Sequence, residues 1–125
     1  MKLERLAISC GGTGGHFNPG LSIARELKAR GGTPVLVLGG AHVEKQAKIA
    51  SEFGIDVIRI EAAPISVKPW KAIPFLWKTW KGVGQCAAGF RQYRPQALLC
   101  MGSFASLPPA LAAKRMGLPL FLHDG

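Results

Sequence analysis

A glycine-rich stretch near the amino terminus constrains the fold of this chain more than any other feature. It reads CGGTGGHFNPG over residues 10–20 and follows a short apolar segment, residues 6–9, that is compatible with a β-strand. After the stretch, apolar residues recur at the spacing of one helical face, at Leu21, Ala24 and Leu27. The pattern therefore predicts a strand, a tight turn and a helix in succession.

The glycine-rich turn has the features of an anion-binding loop. Glycine has no Cβ atom, so the turn can be tight and its backbone N–H groups can approach a ligand closely. Asn18 is a typical N-cap and Pro19 a typical first helical residue, which predicts a helix from about Pro19 to Arg30. Helix N-termini favour anions, and phosphates above all. The residues expected to bind such a group are Gly11, Gly12, Thr13, Gly14, Gly15 and Asn18.

Two common phosphate-binding motifs are excluded. The dinucleotide fingerprint would need glycine where Phe17 stands, and the second apolar run, residues 35–38, ends in Gly39 and Gly40 rather than in an acidic residue. A P-loop would need Gly-Lys-Ser/Thr, which does not follow. A tight turn without any ligand is the alternative. Thr13 and His16 argue against it, because a hydroxyl and an imidazole are poor core groups that suit polar recognition or proton transfer.

The rest of the chain alternates strands with helices. Strands are predicted at about 35–38, 56–60, 96–100 and 118–122, and helices at about 43–53, 74–93 and 107–116. The turn at Gly39 and Gly40 is interpreted as a plain turn. This order predicts a single α/β domain with a Rossmann-like, doubly wound parallel sheet. Ligands of such folds bind outside the carboxyl ends of the strands.

Later strands deliver further polar residues to the same edge. Gly102, Ser103 and Phe104 follow the fourth strand in a second glycine-containing loop, although Ser103 serves equally well as a helix cap. His123 and Asp124 follow the fifth strand. His16 and Asp124 are the two candidates for a general base, and the sequence does not choose between them. A structural, hydrogen-bonded role is the preferred interpretation of His123.

The basic character of the chain belongs to its second half. The net charge is +9, yet residues 1–61 carry eight basic and six acidic side chains, whereas residues 62–123 carry eight basic and no acidic ones. Such a balance implies an anionic partner. All three tryptophans lie between residues 64 and 81, interleaved with four lysines.

The helix predicted from Pro74 to Tyr93 separates these aromatic residues into two groups. One stripe is expected to face the core, namely Leu76, Trp80, Val83, Ala87 and Phe90. The remaining aromatic residues lie outside this core stripe and are expected to be exposed. Exposed aromatic residues beside lysines suit an anionic bilayer surface. The residues assigned to membrane contact are Trp70, Ile73, Phe75, Trp77, Lys68, Lys71, Lys78 and Lys81.

Two other interpretations of these aromatic residues remain. They could cover a neighbouring loop or helix, or they could stack on single-stranded nucleic acid. No RNA-binding signature accompanies them, so nucleic acid is not expected as a partner. No apolar run approaches the ~18 residues of a transmembrane helix. The three cysteines show no C-x-x-C spacing, so neither disulfides nor a metal site is expected, and a reducing cytoplasm is the simpler environment.

The first loop also carries a family resemblance. The run GGTGGH followed by Pro19 and Gly20 resembles the first glycine-rich loop of the MurG glycosyltransferases. The loop at Gly102 resembles their second motif, usually Gly-Gly-Tyr, with Ser103 and Phe104 as departures that remove a tyrosine hydroxyl. His123 matches the start of their His-Glu-Gln-Asn motif, and Asp124 replaces the glutamate.

The resemblance implies a function that requires no cofactor. MurG enzymes transfer N-acetylglucosamine from UDP-N-acetylglucosamine to lipid I, the undecaprenyl-pyrophosphate-linked muramyl pentapeptide, and so form lipid II for the cell wall. This chain resembles only their N-terminal, acceptor-binding half, which belongs to a GT-B fold and docks peripherally on the cytoplasmic face of the cell membrane. The alternative is a non-catalytic, membrane-docking half of a two-chain glycosyltransferase. The donor would bind a further domain or partner chain, so the chain alone is expected to show no turnover.

Overall fold

The computed structural model describes residues 4–12, 14–64, 67–102 and 104–123. Within these ranges, five parallel strands form one sheet in the order β3-β2-β1-β4-β5. Their bounds are β1 Arg5–Ser9, β2 Thr33–Gly39, β3 Asp56–Ile60, β4 Ala97–Cys100 and β5 Leu120–Leu122. The predicted parallel, doubly wound α/β sheet is therefore confirmed.

In the part of the chain that the structure describes, four α-helices connect and cover the strands. They are α1 Gly14–Ala29, α2 Val43–Glu52, α3 Ala72–Tyr93 and α4 Leu107–Met116, with short 3₁₀ turns at Pro69–Lys71 and Phe104–Ser106. None of the helices in the described residues is long and apolar enough to cross a bilayer.

The sheet has a separate apolar core on each face. On one face, Ile8, Leu36 and Leu38 pack with residues of α1 and α2. On the other, Val37 and Leu98 pack with residues of α3 and α4. The interior strand β2 is buried along six of its seven residues, as expected for a parallel strand that is covered on both sides. In contrast, Leu120, Phe121 and Leu122 are exposed on the edge strand β5.

The first helix begins earlier than the sequence predicts. It starts at Gly14, so Asn18 is not an N-cap and Pro19 is not the first helical residue but lies inside the helix. Gly12 turns the chain with a φ of 93°, and the helix follows almost at once. The glycines thus make the turn themselves, which leaves no separate capping segment before Pro19. The first turn of α1 therefore lies within the glycine-rich stretch of the sequence.

The prediction for the buried face of α3 is wrong in its first half. Val83 and Phe90 are buried as expected, but Leu76 and Trp80 are 54% and 55% exposed. The helix approaches the protein through smaller residues instead, and its buried positions are Thr79, Gly82, Val83, Cys86, Gly89 and Phe90. A Cβ atom at Gly89 would lie only 2.6 Å from Ile58 Cδ1, so the close approach of α3 to the sheet depends on a missing side chain.

The strand order places one switch point in the middle of the sheet. From β1 the chain proceeds outward through β2 to β3, and it then crosses back to add β4 and β5 on the other side of β1. Loops that leave β1 and β4 at their carboxyl ends diverge there and open a crevice, which is the usual ligand site of doubly wound folds. Both predicted glycine loops lie at this position.

Candidate functional site

Three loops meet at the carboxyl edge of the sheet. A Cβ atom at Gly40, after β2, would lie 3.2 Å from Gly12 Cα, after β1, and 3.3 Å from Phe104 Cζ, after β4. A Cβ atom at Gly11 would lie 2.6 Å from the nitrogen of Gly39. These backbones approach each other so closely that side chains are excluded. The turn at Gly39 and Gly40, interpreted from sequence as a plain turn, is therefore part of the same edge.

His16 joins the first glycine loop to the second. A Cβ atom at Gly102 would lie 3.0 Å from His16 Nε2, so the imidazole packs directly on the backbone of the second loop. Gly102 has a φ of 103°, a conformation that glycine adopts without strain. The His16 side chain is half-buried at the N-terminal end of α1. It thus lies at the switch point, between the loops that follow β1 and β4.

A buried pair of serines holds the second loop in place. Ser106 Oγ donates a hydrogen bond to the Gly102 carbonyl at 2.7 Å. Because the Ser106 hydroxyl proton is used in that bond, Ser9 Oγ is the donor to Ser106 Oγ across 3.0 Å. Ser9 is the last residue of β1, so the hydroxyl pair ties β1 to the loop that follows β4.

The electrostatics of this edge favour an anion. Helix α1 begins inside the glycine loop, and the first turn of any α-helix leaves N–H groups without intrahelical partners. Its partial positive charge points to the crevice where His16 meets Gly102. A cavity of about 470 Å³ lies alongside, over the ends of β2 and β3, with Lys78, Glu61 and Phe104 in its lining.

A second cavity adjoins the first on the side of α3. It measures about 570 Å³, and its lining combines three lysines with apolar residues: Ala63, Pro64, Lys68, Lys71, Pro74, Phe75 and Lys78. Pro64 and Lys78 line both cavities. Half-buried Phe75 therefore contributes to a basic recess, while its predicted role in membrane contact is untested.

An exposed apolar surface, here called the tryptophan face, surrounds the beginning of α3. Its members are Val67, Trp70, Ile73, Leu76, Trp77 and Trp80, each more than half exposed. Lys68 Nζ lies 5.7 Å from the Trp70 ring centroid, and Lys81 Nζ lies 5.2 Å from that of Trp77. The exposure of Trp70, Ile73 and Trp77 agrees with the prediction from sequence.

The structure adds residues to this face that sequence reasoning missed. Leu76 and Trp80 were assigned to the core, and the guanidinium of Arg115 on α4 lies 5.5 Å from the Trp80 ring centroid. The spacing of Leu76 and Trp80 fits a core stripe equally well, so helical periodicity alone could not identify them. The small residues beside this stripe, Gly82, Cys86 and Gly89, were the available signal.

Two predicted site residues lie away from this cluster, and three others lie outside the described residues. Asn18 lies on α1 outside the crevice, in the lining of another cavity. His123 is exposed at the end of β5, and its backbone N–H donates to the Cys100 carbonyl at 2.8 Å. Thr13, Ser103 and Asp124 lie outside the described residues. The structure therefore brings together Gly12, Gly40, His16, Gly102 and Phe104.

Neither metal nor thiol chemistry is evident in this cluster. Within the described ranges, no three His, Cys, Asp or Glu side chains are grouped so as to hold a metal ion. Burial raises the pKa of the Cys10 and Cys86 thiols to about 12 and that of Cys100 to about 11. These cysteines are protonated core residues at neutral pH.

Comparison with known proteins identifies the family of the chain. The crystal structure of Acinetobacter baumannii MurG shares this doubly wound fold and superposes on it with a TM-score of 0.78. That match has 22% identity and covers 96% of this chain and 35% of the other. Residues 6–124 match the glycosyltransferase family 28 N-terminal domain, and the chain belongs to this family.

Curated relatives agree with the family resemblance seen in the sequence. The UDP-N-acetylglucosamine--N-acetylmuramyl-(pentapeptide) pyrophosphoryl-undecaprenol N-acetylglucosamine transferase of Moorella thermoacetica is 38% identical, over 96% of this chain and 33% of the relative. The protein of the same name from Photorhabdus laumondii is 37% identical, over 98% and 34%. The chain thus spans about a third of the length of the curated relatives it matches.

Proposed function

We propose that this chain is the acceptor-binding half of a transferase that moves N-acetylglucosamine from UDP-N-acetylglucosamine to lipid I, forming lipid II. The observation that carries the proposal is the contact between His16 and Gly102 at the switch point, in a chain of family 28. The donor and the acceptor are those named for the curated relatives. The donor sugar nucleotide binds a further domain or a partner chain.

The chemistry of the crevice suits a pyrophosphate-linked acceptor. The backbone N–H groups at the start of α1, including those of Gly14 and Gly15, face the acceptor pyrophosphate, with the helix dipole adding partial positive charge. The sugar hydroxyl that attacks the donor must lose its proton during transfer. The His16 imidazole accepts that proton in this proposal, because it lies within the crevice and a neutral imidazole is a competent base near pH 7. Asp124 is the other candidate base.

The tryptophan face supplies the route to a lipid-linked acceptor. Its exposed rings enter the headgroup region of the bilayer, and the lysines beside them face anionic lipid. The two adjoining cavities, with Lys78 in both linings, lead from this face to the carboxyl edge of the sheet. The chain thereby docks peripherally on the cytoplasmic face of the membrane and receives the acceptor pyrophosphate from it.

Vesicle co-sedimentation tests both parts of the proposal. Anionic vesicles with and without lipid I are compared for the wild type, Trp70→Ala/Trp77→Ala and His16→Ala. The tryptophan variant is expected to bind all vesicles at least tenfold more weakly, because two interfacial aromatic rings are lost. His16→Ala should bind plain vesicles normally and lose the increment due to lipid I. Phe121→Ala is the matched control, since its ring is similarly exposed, at 57%, but lies on β5.

The results of this experiment distinguish acceptor binding from membrane docking. Wild-type binding that is equal with and without lipid I contradicts acceptor binding and favours the non-catalytic docking half. Absence of binding to any vesicle contradicts membrane docking by the tryptophan face.

A further inference from the structure

The cavity of about 470 Å³ over the ends of β2 and β3 contains a carboxylate that the proposed function does not use. In its lining, as far as the structure describes it, Glu61 is the one acidic residue. Glu61 directly follows β3, which ends at Ile60. Gly40 and Phe104, from the loops after β2 and β4, line the same cavity. Glu61 therefore lies at the edge of the sheet where the glycine loops meet.

The backbone of Glu61 is fixed by α3, whereas its side chain is not engaged. The Glu61 N–H donates to Gln85 Oε1 at 2.6 Å, and the Glu61 carbonyl oxygen packs directly against Gly82. The half-buried carboxylate forms neither a hydrogen bond nor an ion pair with the described parts of the chain, although Lys78 lines the same cavity. A group that is held by its backbone and has no side-chain partner is well placed to bind a ligand.

The other lining residues restrict what that ligand can be. Half-buried Phe104 supplies an aromatic ring, and Val43 and Ile60 supply apolar surface. An isolated phosphate would face the negative charge of Glu61, and an apolar chain would cover the carboxylate without giving it a hydrogen bond, which is unfavourable. A sugar ring suits both groups, because its hydroxyls donate to a carboxylate and its C–H face packs on the negative face of an aromatic ring. The cavity volume falls within the range of ~300–1,000 Å³ that is typical of small-molecule sites.

We propose that Glu61 is an acceptor-binding residue and that the cavity it lines with Phe104 holds the muramyl sugar of the acceptor. The carboxylate accepts hydrogen bonds from the sugar's hydroxyl or acetamido groups. The inference rests on the proposed function, because lipid I is the source of this sugar. A sugar held there lies beside the crevice that contains His16. Glu61 thereby distinguishes a lipid diphosphate that carries a sugar from one that does not.

Titration calorimetry with two ligands tests this inference. Both are a shortened, water-soluble prenyl diphosphate, and only one carries N-acetylmuramic acid, with its lactyl carboxylate capped as an amide. The wild type is expected to bind the sugar-bearing ligand at least tenfold more tightly. Glu61→Ala should weaken binding of that ligand about tenfold, because charge-assisted hydrogen bonds are lost. The same variant should bind the bare diphosphate as tightly as the wild type or more tightly, because a negative charge is removed.

Three further variants sharpen the test. Glu52→Ala removes the same charge from an exposed position at the end of α2, outside the cavity, and should retain the wild-type preference. Phe104→Leu keeps an apolar side chain but removes the ring, so it should weaken binding of the sugar-bearing ligand about threefold. Glu61→Gln preserves the shape of the side chain and one acceptor oxygen, and it should lose part of the preference.

The outcomes distinguish failure of this inference from failure of the proposed function. Equal wild-type affinity for the two ligands overturns the sugar site and leaves binding of the lipid diphosphate intact. A wild-type preference that survives in both Glu61→Ala and Glu61→Gln overturns the role of Glu61 and leaves the proposed function intact. An equal loss of both ligands in Glu61→Ala shows that the carboxylate does not contact the sugar and also overturns the inference. Failure of the wild type to bind either ligand overturns the proposed function together with the sugar site.

Discussion

The packing of α3 on its small residues makes a sharp prediction at Gly82. A Cβ atom there would lie 2.1 Å from the Glu61 carbonyl oxygen and 3.0 Å from Pro108 Cβ, whereas ordinary contact begins near 3.4 Å. The obstacle is backbone, and the Glu61 N–H is itself bonded to Gln85 of α3 at 2.6 Å. Gly82→Ala must therefore displace α3 or the segment after β3 by more than 1 Å.

The size of the stability change caused by Gly82→Ala follows from two opposing effects. Overpacking of this kind costs about 1–3 kcal/mol and occasionally more, and alanine returns about 1 kcal/mol through its higher helix propensity. With a backbone atom in the way, the packing cost lies at the upper end, so a net loss of about 2 kcal/mol in the free energy of unfolding is expected. At Gly84, two residues along α3, nothing lies within 4 Å of an added Cβ. Gly84→Ala should therefore stabilise the chain by about 0.5–1 kcal/mol.

Urea unfolding followed by far-ultraviolet circular dichroism measures both variants. The two alanines should shift the midpoint in opposite directions, although they lie in the same helix and have the same intrinsic propensity. A Gly82→Ala chain as stable as the wild type would refute the close packing of α3. Equal shifts for the two variants would show that propensity, not packing, decides.

Further predictions concern the buried hydroxyl pair and the thiols. Ser106→Ala leaves Ser9 and the Gly102 carbonyl without their hydrogen-bond partner, so it should lower the free energy of unfolding by about 1–3 kcal/mol in urea titrations. Ser51→Ala, which removes an exposed hydroxyl, should change the free energy of unfolding by less than ~0.5 kcal/mol. All three thiols should resist iodoacetamide in the folded chain at pH 8 and react in denaturant, because burial raises their pKa to about 11 or 12; rapid alkylation of the folded chain would contradict this. The same pKa shifts predict that the free energy of unfolding depends on pH. Below pH 9 the thiols are protonated in both the folded and the unfolded chain. Above pH 9 only the unfolded chain releases these protons, so stability falls as pH rises from 9 towards 12. Cys86→Ala should flatten that fall, and an unchanged slope would contradict the assignment.

The elements themselves were readable from local sequence. Apolar runs such as residues 35–38 and the turn glycines predicted all five strands and the order of the helices, and right-handed crossovers left little freedom in how those strands could be arranged. The two glycine loops were also recognisable, since their residue types carry backbone requirements that few other residues meet. The contact between His16 and Gly102 follows once both loops are placed at one sheet edge.

What the sequence by itself determined was therefore the alternation of elements and the edge at which polar loops gather, because both depend on local conformational preference and on the topology of parallel strands. Tertiary structure alone decided where α1 begins and which face of α3 is buried. Helical periodicity identifies an apolar stripe but not the distance at which a helix packs. On α3 the small residues Gly82, Cys86 and Gly89 are buried together with Val83 and Phe90, whereas Leu76 and Trp80 remain more than half exposed.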